Sequence, residues 1–485
     1  MNIKQKLEQI VSKERVSDEL KDLEVYSKDF SLADPRMPNY VVRAKSTSEV
    51  QNIVSLANEE KIPVIPVSSS VHFYGATIPH QGGIVLDLTR MNKIIEIDEI
   101  NRKARIEPGV TWGQLQNELS KKGLFSLIPL LPHSSRSVVS DYLEREVPLI
   151  PIFEIAEPIL SMEIVWPNGE IFRTGSASVP NFPDTFAEGA NPLGPGSMDF
   201  GRLPQGAQGT MGIVTWMNVK IEYLPTLDKV FFMTFTSLKD AVEPLYRIQR
   251  LKIGNECFLV NNQNYSLLLG SDNTDDLNEL KNTLCQWTFV IVLSGLKRRP
   301  EEKIAYEEKA LREVCKEFPG LELLSSLPGL GGIERKLPQL LRKPWSSDAS
   351  YWKNRLKGTC HSIFFITKPE KTPAFVDTIR EIAGRHEYPA NDIGCYLQPI
   401  DNARACHLEF NFFYNRENLE ELERIKALDM EAVKILLSQD AYFTRPYGII
   451  SDYVYNKAYD YTMVLKTVKN IFDPNNILCP GNLCF

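Results

Sequence analysis

Two absences come first. No G-x-G-x-x-G follows a strand-like segment, and there is no G-x-x-x-x-G-K followed by Ser or Thr, so the two commonest nucleotide fingerprints are missing. No C-x-x-C occurs either. The eight cysteines are scattered over positions 257, 285, 315, 360, 395, 406, 479 and 484 of a 485-residue chain, which excludes a disulfide scaffold and fits a reducing cytosol. Cys479 and Cys484 lie close together, but two thiols alone make a poor metal or redox site, and no metal site is expected. No iron–sulfur ligand pattern exists. No apolar run approaches the ~20 residues of a membrane span, and "MNIKQKLEQIVSKERV" reads as an amphipathic helix rather than a secretory signal. A net charge of -7 argues against nucleic acid or an anionic membrane as the main partner.

What is present has the length of two or three domains. "YVVRAK" reads as a strand, and the helix after it has Ser46 or Thr47 as N-cap. "IPVIPV" and "GIVLDL" are further strands. "IIEIDEINRKARIEPG" and "LSMEIVWPNGEIFRTG" read as hairpins, the second turning at "PNG". Thr111 caps a helix that Gly123 stops, and "GIVTWMNVKIEYLP" is a long strand. From about Lys229 a strand–helix–strand theme restarts, which predicts a second α/β unit. "GSASVPNFPDTFAEGANPLGPGSMDFG" is too long for an ordinary loop and is expected to be functional or mobile.

Three small-residue stretches sit at strand ends. The first is "VSSSVHFYGATIPHQGG", with Ser68, Ser69, Ser70, Gly75, Gly82 and Gly83. The second is "PHSSRSVVS" and the third "PQGAQGTMGIV". Each alone would pass for a surface turn. Together they suit a long phosphorylated cofactor touched at several points, because unobstructed backbone N–H groups bind phosphate closely.

The order of "PVIPV", the small-residue loop, "GGIVLDLTRMNKIIEID", "ARIEPGVTWGQL", "MEIVWPNGEIFRTG", "GTMGIVTWMNVKIEYLP" and "FDPNNILCPGNL" resembles the vanillyl-alcohol oxidase / p-cresol methylhydroxylase (PCMH-type) family of FAD-linked oxidoreductases. The resemblance covers nearly the whole chain. It implies an α+β fold: a two-part PCMH-type FAD-binding domain with a second α/β cap domain that binds substrate. The expected division is residues 1–228 for the FAD domain, 229–440 for the cap, and 441–485 for a tail returning to the FAD domain.

The resemblance also implies roles. Tyr74 in "FYG" takes the position of a phenolate-binding tyrosine, Arg445 in "YFTRPYG" that of a phenolate-binding arginine, Glu154 that of an active-site aspartate, and His407 that of an active-site histidine. FAD contacts are expected from Ser68, Ser69, Ser70, Val71, His72 and Gly75, from Pro108 and Gly109, and from Ser134, Ser135 and Ser137. Gly209, Gly212, Val214 and Asn482 complete that set, and His361 falls where some relatives bond covalently to the flavin. Departures include "SSSVH" for the usual Gly with Arg or Asn, "SSRSVVS" for a Gly pair, Thr444 for a tyrosine and Asn482 for a lysine.

Bland readings stand beside these: Tyr74 as a loop aromatic, Arg445 as a surface ion pair, His407 and His361 as strand histidines. Glu154, within the apolar "VPLIPIFEIAEPIL", is expected to be either surface-facing or buried with its pKa raised. The implied reaction is hydride removal from an alcohol or alkyl carbon of a 4-substituted phenol, with electrons leaving through oxygen or a separate acceptor protein. Relatives of this kind are commonly homo-oligomers. A 2-hydroxy-acid dehydrogenase and a non-catalytic subunit of a redox complex are the alternatives.

Overall fold

The computed structural model describes residues 1–179 and 191–485, so most of the "SVPNFPDTFAEGAN" stretch lies outside the described residues. Three sheets carry the architecture. The first orders Val16–Ser17, Tyr40–Arg43, Ile84–Asp87 and Val64–Val67, and its last three strands are parallel. Their all-apolar inner residues are buried by the helices Ile3–Val11 and Thr47–Glu60. Ser46 caps the second helix, its side chain accepting from Glu49 N.

The second sheet is antiparallel and is built on Ile213–Tyr223, which pairs with Lys103–Ile106, Ile159–Val165 and Leu124–Ser126. Both expected hairpins form, Ile94–Asp98 with Lys103–Ile106 and Ile159–Val165 with Ile171–Arg173. Thr111 caps the helix Trp112–Ser120, as the sequence implies.

The third sheet has the order Leu227–Phe235, Trp287–Gly295, Glu256–Asn261, Gly394–Ile400, Ala405–Tyr414, Thr359–Thr367. The expected strand–helix alternation is present, but every pairing in this sheet is antiparallel. Period-2 patterning gives it two buried faces. Phe231, Met233 and Phe235 pack beneath the helices, while Val230 and Phe232 join an inner cluster with Leu131, Tyr351 and Trp352. That inner cluster lies between the third sheet and the 128–149 region.

The chain end returns to the first sheet, with Val64 N donating to Ile477 O (2.7 Å) and Cys479 N to Val64 O (3.1 Å). Asp473 holds this return. Its fully buried carboxylate accepts from Lys469 Nζ (2.6 Å), Ile477 N (3.0 Å) and Leu478 N (2.9 Å). Removing one partner of a buried ion pair strands the other, at a cost of about 3–5 kcal/mol. Asp473→Ala is therefore expected to lower the denaturant midpoint by that equivalent and to release the tail first, seen as early proteolytic cleavage after residue 472.

Candidate active site

The first small-residue loop leaves the strand Val64–Val67 and is bent by its neighbours. Gly75 has φ +83°, its N–H donates to Asp29 Oδ2 (2.7 Å), and a Cβ there would lie 3.1 Å from Ser31 Oγ. Glycine is needed at that point by backbone hand and close approach. Ser68 and Ser69 are buried, Val71 and His72 half-buried, and Ser70 exposed. His72 Nε2 lies 2.7 Å from Ser69 O, and burial first, then Arg136, depresses its pKa to about 4. From Ser69 to Tyr74 no main-chain N–H donates to an acceptor among the described residues.

The second stretch contains an element that the sequence reading missed, the short helix Val138–Leu143 capped by Ser137. Ser137 Oγ also donates to Pro108 O (2.6 Å). Ser140 Oγ reaches Ser68 Oγ at 2.5 Å, joining the first and second stretches. Ser135 N donates to His133 Nδ1 (3.1 Å), and Ser134 O accepts from Gly113 N. Gly109 packs its Cα against the carbonyls of Leu88, Thr89 and Met91. In the third stretch a Cβ on Gly212 would meet Ile164 Cγ2 at 2.5 Å, and one on Gly209 would meet Cys479 Sγ at 2.9 Å. These glycines let the chain approach itself. Asn482 Nδ2 bonds Ala76 O (2.8 Å) and Gln208 O (3.1 Å), tying the tail to the first and third stretches.

The three stretches enclose a channel lined by Ser68, His72, Thr77, Pro108, Ser140, Gly209, Gly212 and Val214, with Arg136 and Glu144 at its inner end. Unpaired backbone N–H groups beside it, and small side chains along it, fit a pyrophosphate-bearing dinucleotide.

Beyond Tyr74 the channel meets a second cavity, lined by Phe73, Tyr74, Arg136, Glu146, Tyr351, Lys353, Tyr396, His407 and Glu409 among others. Three sequence-predicted residues converge at or next to it. Tyr74 Oη donates to Glu146 Oε1 (3.0 Å), and Arg445 Nη1 lies 2.7 Å from the same oxygen. Burial would raise the Glu146 carboxyl, but Arg445 and Arg136 outweigh it and hold it below the ordinary carboxylate value. The Arg445 guanidinium, 2% exposed, has Glu146 as its sole polar partner among the described residues. Its Cζ sits 4.1 Å from the Phe364 ring centroid and 5.7 Å from that of Tyr74. His407 is buried within 6 Å of the Phe364 and Tyr396 rings, at 5.8 and 5.9 Å.

Glu154 is not with them. It lies exposed on a turn where its carbonyl accepts from Glu157 N, so of the two alternatives the surface-facing one holds, and the expected place in the active site is corrected. The inward-turned, half-buried carboxylates lie eight and ten residues earlier, Glu146 and Glu144, the latter accepting from Tyr447 Oη. "LEREVP" places three charges before an apolar run, and that was the available signal. Thr444 stands where a tyrosine was expected, but Tyr447 stacks on Tyr74 (4.8 Å, 20°) and supplies a second phenol. His361 falls on the helix-side alternation with Ile363 and Phe365, bonds Asp429 (2.8 Å), and opens on a side cavity shared with Tyr74 and Arg445.

Arg136, Asp141, Lys353 and Glu409 were also missed. Arg136 Nε bonds Asp141 Oδ1 (2.7 Å), and Asp141 Oδ2 accepts from Trp112 Nε1 (2.7 Å), which holds the guanidinium over the Phe73 and Tyr74 rings. Lys353 is placed by Trp352 Nε1 donating to Leu131 O (3.2 Å) and Trp345 N to Pro132 O (2.8 Å).

Residues 38–175 match the family model for an FAD binding domain. The glycolate oxidase subunit GlcD of Bacillus subtilis is 24% identical, over 99% of this chain and 96% of that protein. The 4-cresol dehydrogenase flavoprotein subunit of Pseudomonas putida is 32% identical, over 45% of this chain and 41% of that protein. A crystal structure of p-cresol methylhydroxylase with substrate bound superposes with a TM-score of 0.84 at 21% identity, covering 99% of this chain and 96% of that one. The expected two-part α+β architecture is thereby shown, and a fold kept only for assembly is set aside. The chain carries an FAD-binding domain at residues 38–175 and is an FAD-dependent oxidoreductase.

Proposed function

We propose that the chain oxidises the alcohol or alkyl carbon para to the hydroxyl of a phenol-like substrate, with Arg445 and Tyr74 holding the phenolic oxygen. The observation that carries this is the Arg445 guanidinium, buried against aromatic rings with a single polar partner and donors left for an acceptor oxygen. A flat aromatic body suits the walls formed by Phe73, Tyr74, Tyr351 and Tyr396. FAD, held by the channel residues Ser68, Ser140, Gly209 and Gly212, supplies a two-electron acceptor for the hydride.

Charge balance separates this from 2-hydroxy-acid oxidation, which the glycolate oxidase relative suggests. Arg136, Lys353 and Arg445 each already face a carboxylate, in Asp141, Glu409 and Glu146, and Glu144 adds a fourth. A carboxylate substrate would enter as a further anion, whereas a phenol enters neutral. Nor is there a cluster of three metal-ligating side chains among the described residues to hold a hydroxy acid through a metal. The flavoprotein-subunit name of the Pseudomonas putida relative supports a separate electron acceptor, and FAD bonded through His361 is a variant of the same reading.

Anaerobic mixing with 4-hydroxybenzyl alcohol or a 4-alkylphenol is expected to bleach the flavin, and glycolate or D-lactate to leave it oxidised. The reverse pattern overturns the proposal. Arg445→Met is expected to cut kcat/KM about 10²- to 10³-fold, the effect of losing a buried cationic donor. Tyr74→Phe is expected to cut turnover about 10-fold while flavin content, read by absorbance, stays unchanged.

A further inference from the structure

On the strand Ala405–Tyr414, Cys406, Leu408, Phe410 and Phe412 face the helices, so His407, Glu409 and Asn411 share the inner face. The Glu409 carboxylate divides its oxygens. Oε1 takes Lys353 Nζ at 2.6 Å, and Oε2 lies 3.4 Å from His407 Nε2. Lys353 arrives from a different segment, the turn Trp352–Asn354, and its Nζ also reaches Ser362 Oγ at 3.4 Å. All three side chains line the cavity that holds Tyr74 and Glu146. His407 Nδ1 has no hydrogen-bond partner among the described residues.

The geometry points to Glu409 and Lys353 as positioning residues for His407: Lys353 fixes the Glu409 carboxylate, and Glu409 holds the imidazole proton on Nε2, which leaves Nδ1 as the base facing substrate. This rests on the reading above, in which the alcohol O–H, or water attacking the oxidised carbon, must surrender a proton. That proton passes from oxygen to His407 Nδ1, the electron pair stays on oxygen, and Glu409 stabilises the imidazolium. The logic is that of a carboxylate fixing an imidazole tautomer. Burial first, then Arg445, favours the neutral ring, while Glu409 and Glu146 oppose them; the outcome is a pKa below the ordinary histidine value. Lys353 and His407 together outweigh the burial that would raise the Glu409 carboxyl.

The test uses the full-length, FAD-loaded protein with ¹⁵N-histidine, the His407 signals being assigned by their loss in His407→Asn. At neutral pH the ring is expected as the Nε2–H tautomer. In the double variant Lys353→Met/Glu409→Leu, which removes both charges and so leaves neither stranded, the Nε2–H population is expected to fall and kcat to drop about 10²-fold with KM little changed. Lys353→Arg alone, with Glu409 kept, is expected to retain both. An Nδ1–H or charged ring in the unmodified protein, or an unchanged ring in the folded double variant, overturns the inference. The ring signals do not depend on which substrate is oxidised, so failure of the phenol reading shows separately, as absent flavin bleaching with the tautomer intact.

Discussion

The carboxylate of Glu146 is the point on which the site is hung. It accepts from Tyr74, which lies in the first loop, and pairs with Arg445, which comes from the segment leading to the tail. Three stretches of chain separated by tens to hundreds of residues are thereby fixed on one oxygen. Such an arrangement is a poor source of stability, because desolvating the charges offsets most of their attraction. What it supplies is position: the guanidinium cannot leave the aromatic wall without abandoning its ion pair with Glu146.

The third sheet makes the complementary contribution. Its strands are apolar on both faces along most of their length, which suits a layer covered by helices on one side and by the 128–149 region on the other. The inner face admits polar residues at Cys360, Ser362, His407, Glu409 and Asn411, and elsewhere at Gln398 and at Glu256 and Ser294, both of which Arg342 reaches. A buried strand tolerates such residues when they satisfy one another, and here Ser362 donates to Asn411 Oδ1 (2.6 Å) while Lys353 and Glu409 pair. On the strands Thr359–Thr367 and Ala405–Tyr414 the residues Cys360, Ser362, His407 and Glu409 form part of the cavity wall.

This explains which parts could be read from sequence. The hairpins, the capped helices at Ser46 and Thr111, the long strand Ile213–Tyr223 and the returning tail follow from local periodicity and turn chemistry. The resemblance singled out Tyr74, Arg445 and His407, Tyr74 through an ungapped local match, and the structure brings these three together. Glu146 was not. Its neighbour Glu154 lies in the more apolar context, and nothing in one-dimensional pattern tells which of several carboxylates turns inward when the intervening backbone is irregular. Lys353 was hidden for a related reason: a lysine after a tryptophan in a short turn looks solvated until Trp352 is seen anchoring on Leu131 O. The helix Val138–Leu143 was obscured because its cap, Ser137, belongs to a run of serines that also reads as a phosphate-binding turn.

Contacts within the protein itself require some of the small residues in the three stretches. Gly109 and Gly212 are required by protein atoms, the carbonyls of Leu88, Thr89 and Met91 for one and the Ile164 side chain for the other. The channel is therefore shaped by chain-to-chain approach, and the stretch from Ser69 to Tyr74 keeps its backbone donors unspent among the described residues. A sequence with serines in place of the customary glycines can bind the same pyrophosphate if the backbone path is held from outside. Asp29 on Gly75 N, Ser140 on Ser68 and Asn482 on Ala76 O do that holding, from three different parts of the chain. Tyr74 lies at the end of that path, so the constraint that frames the channel also sets the ring and hydroxyl of Tyr74 in the adjoining cavity.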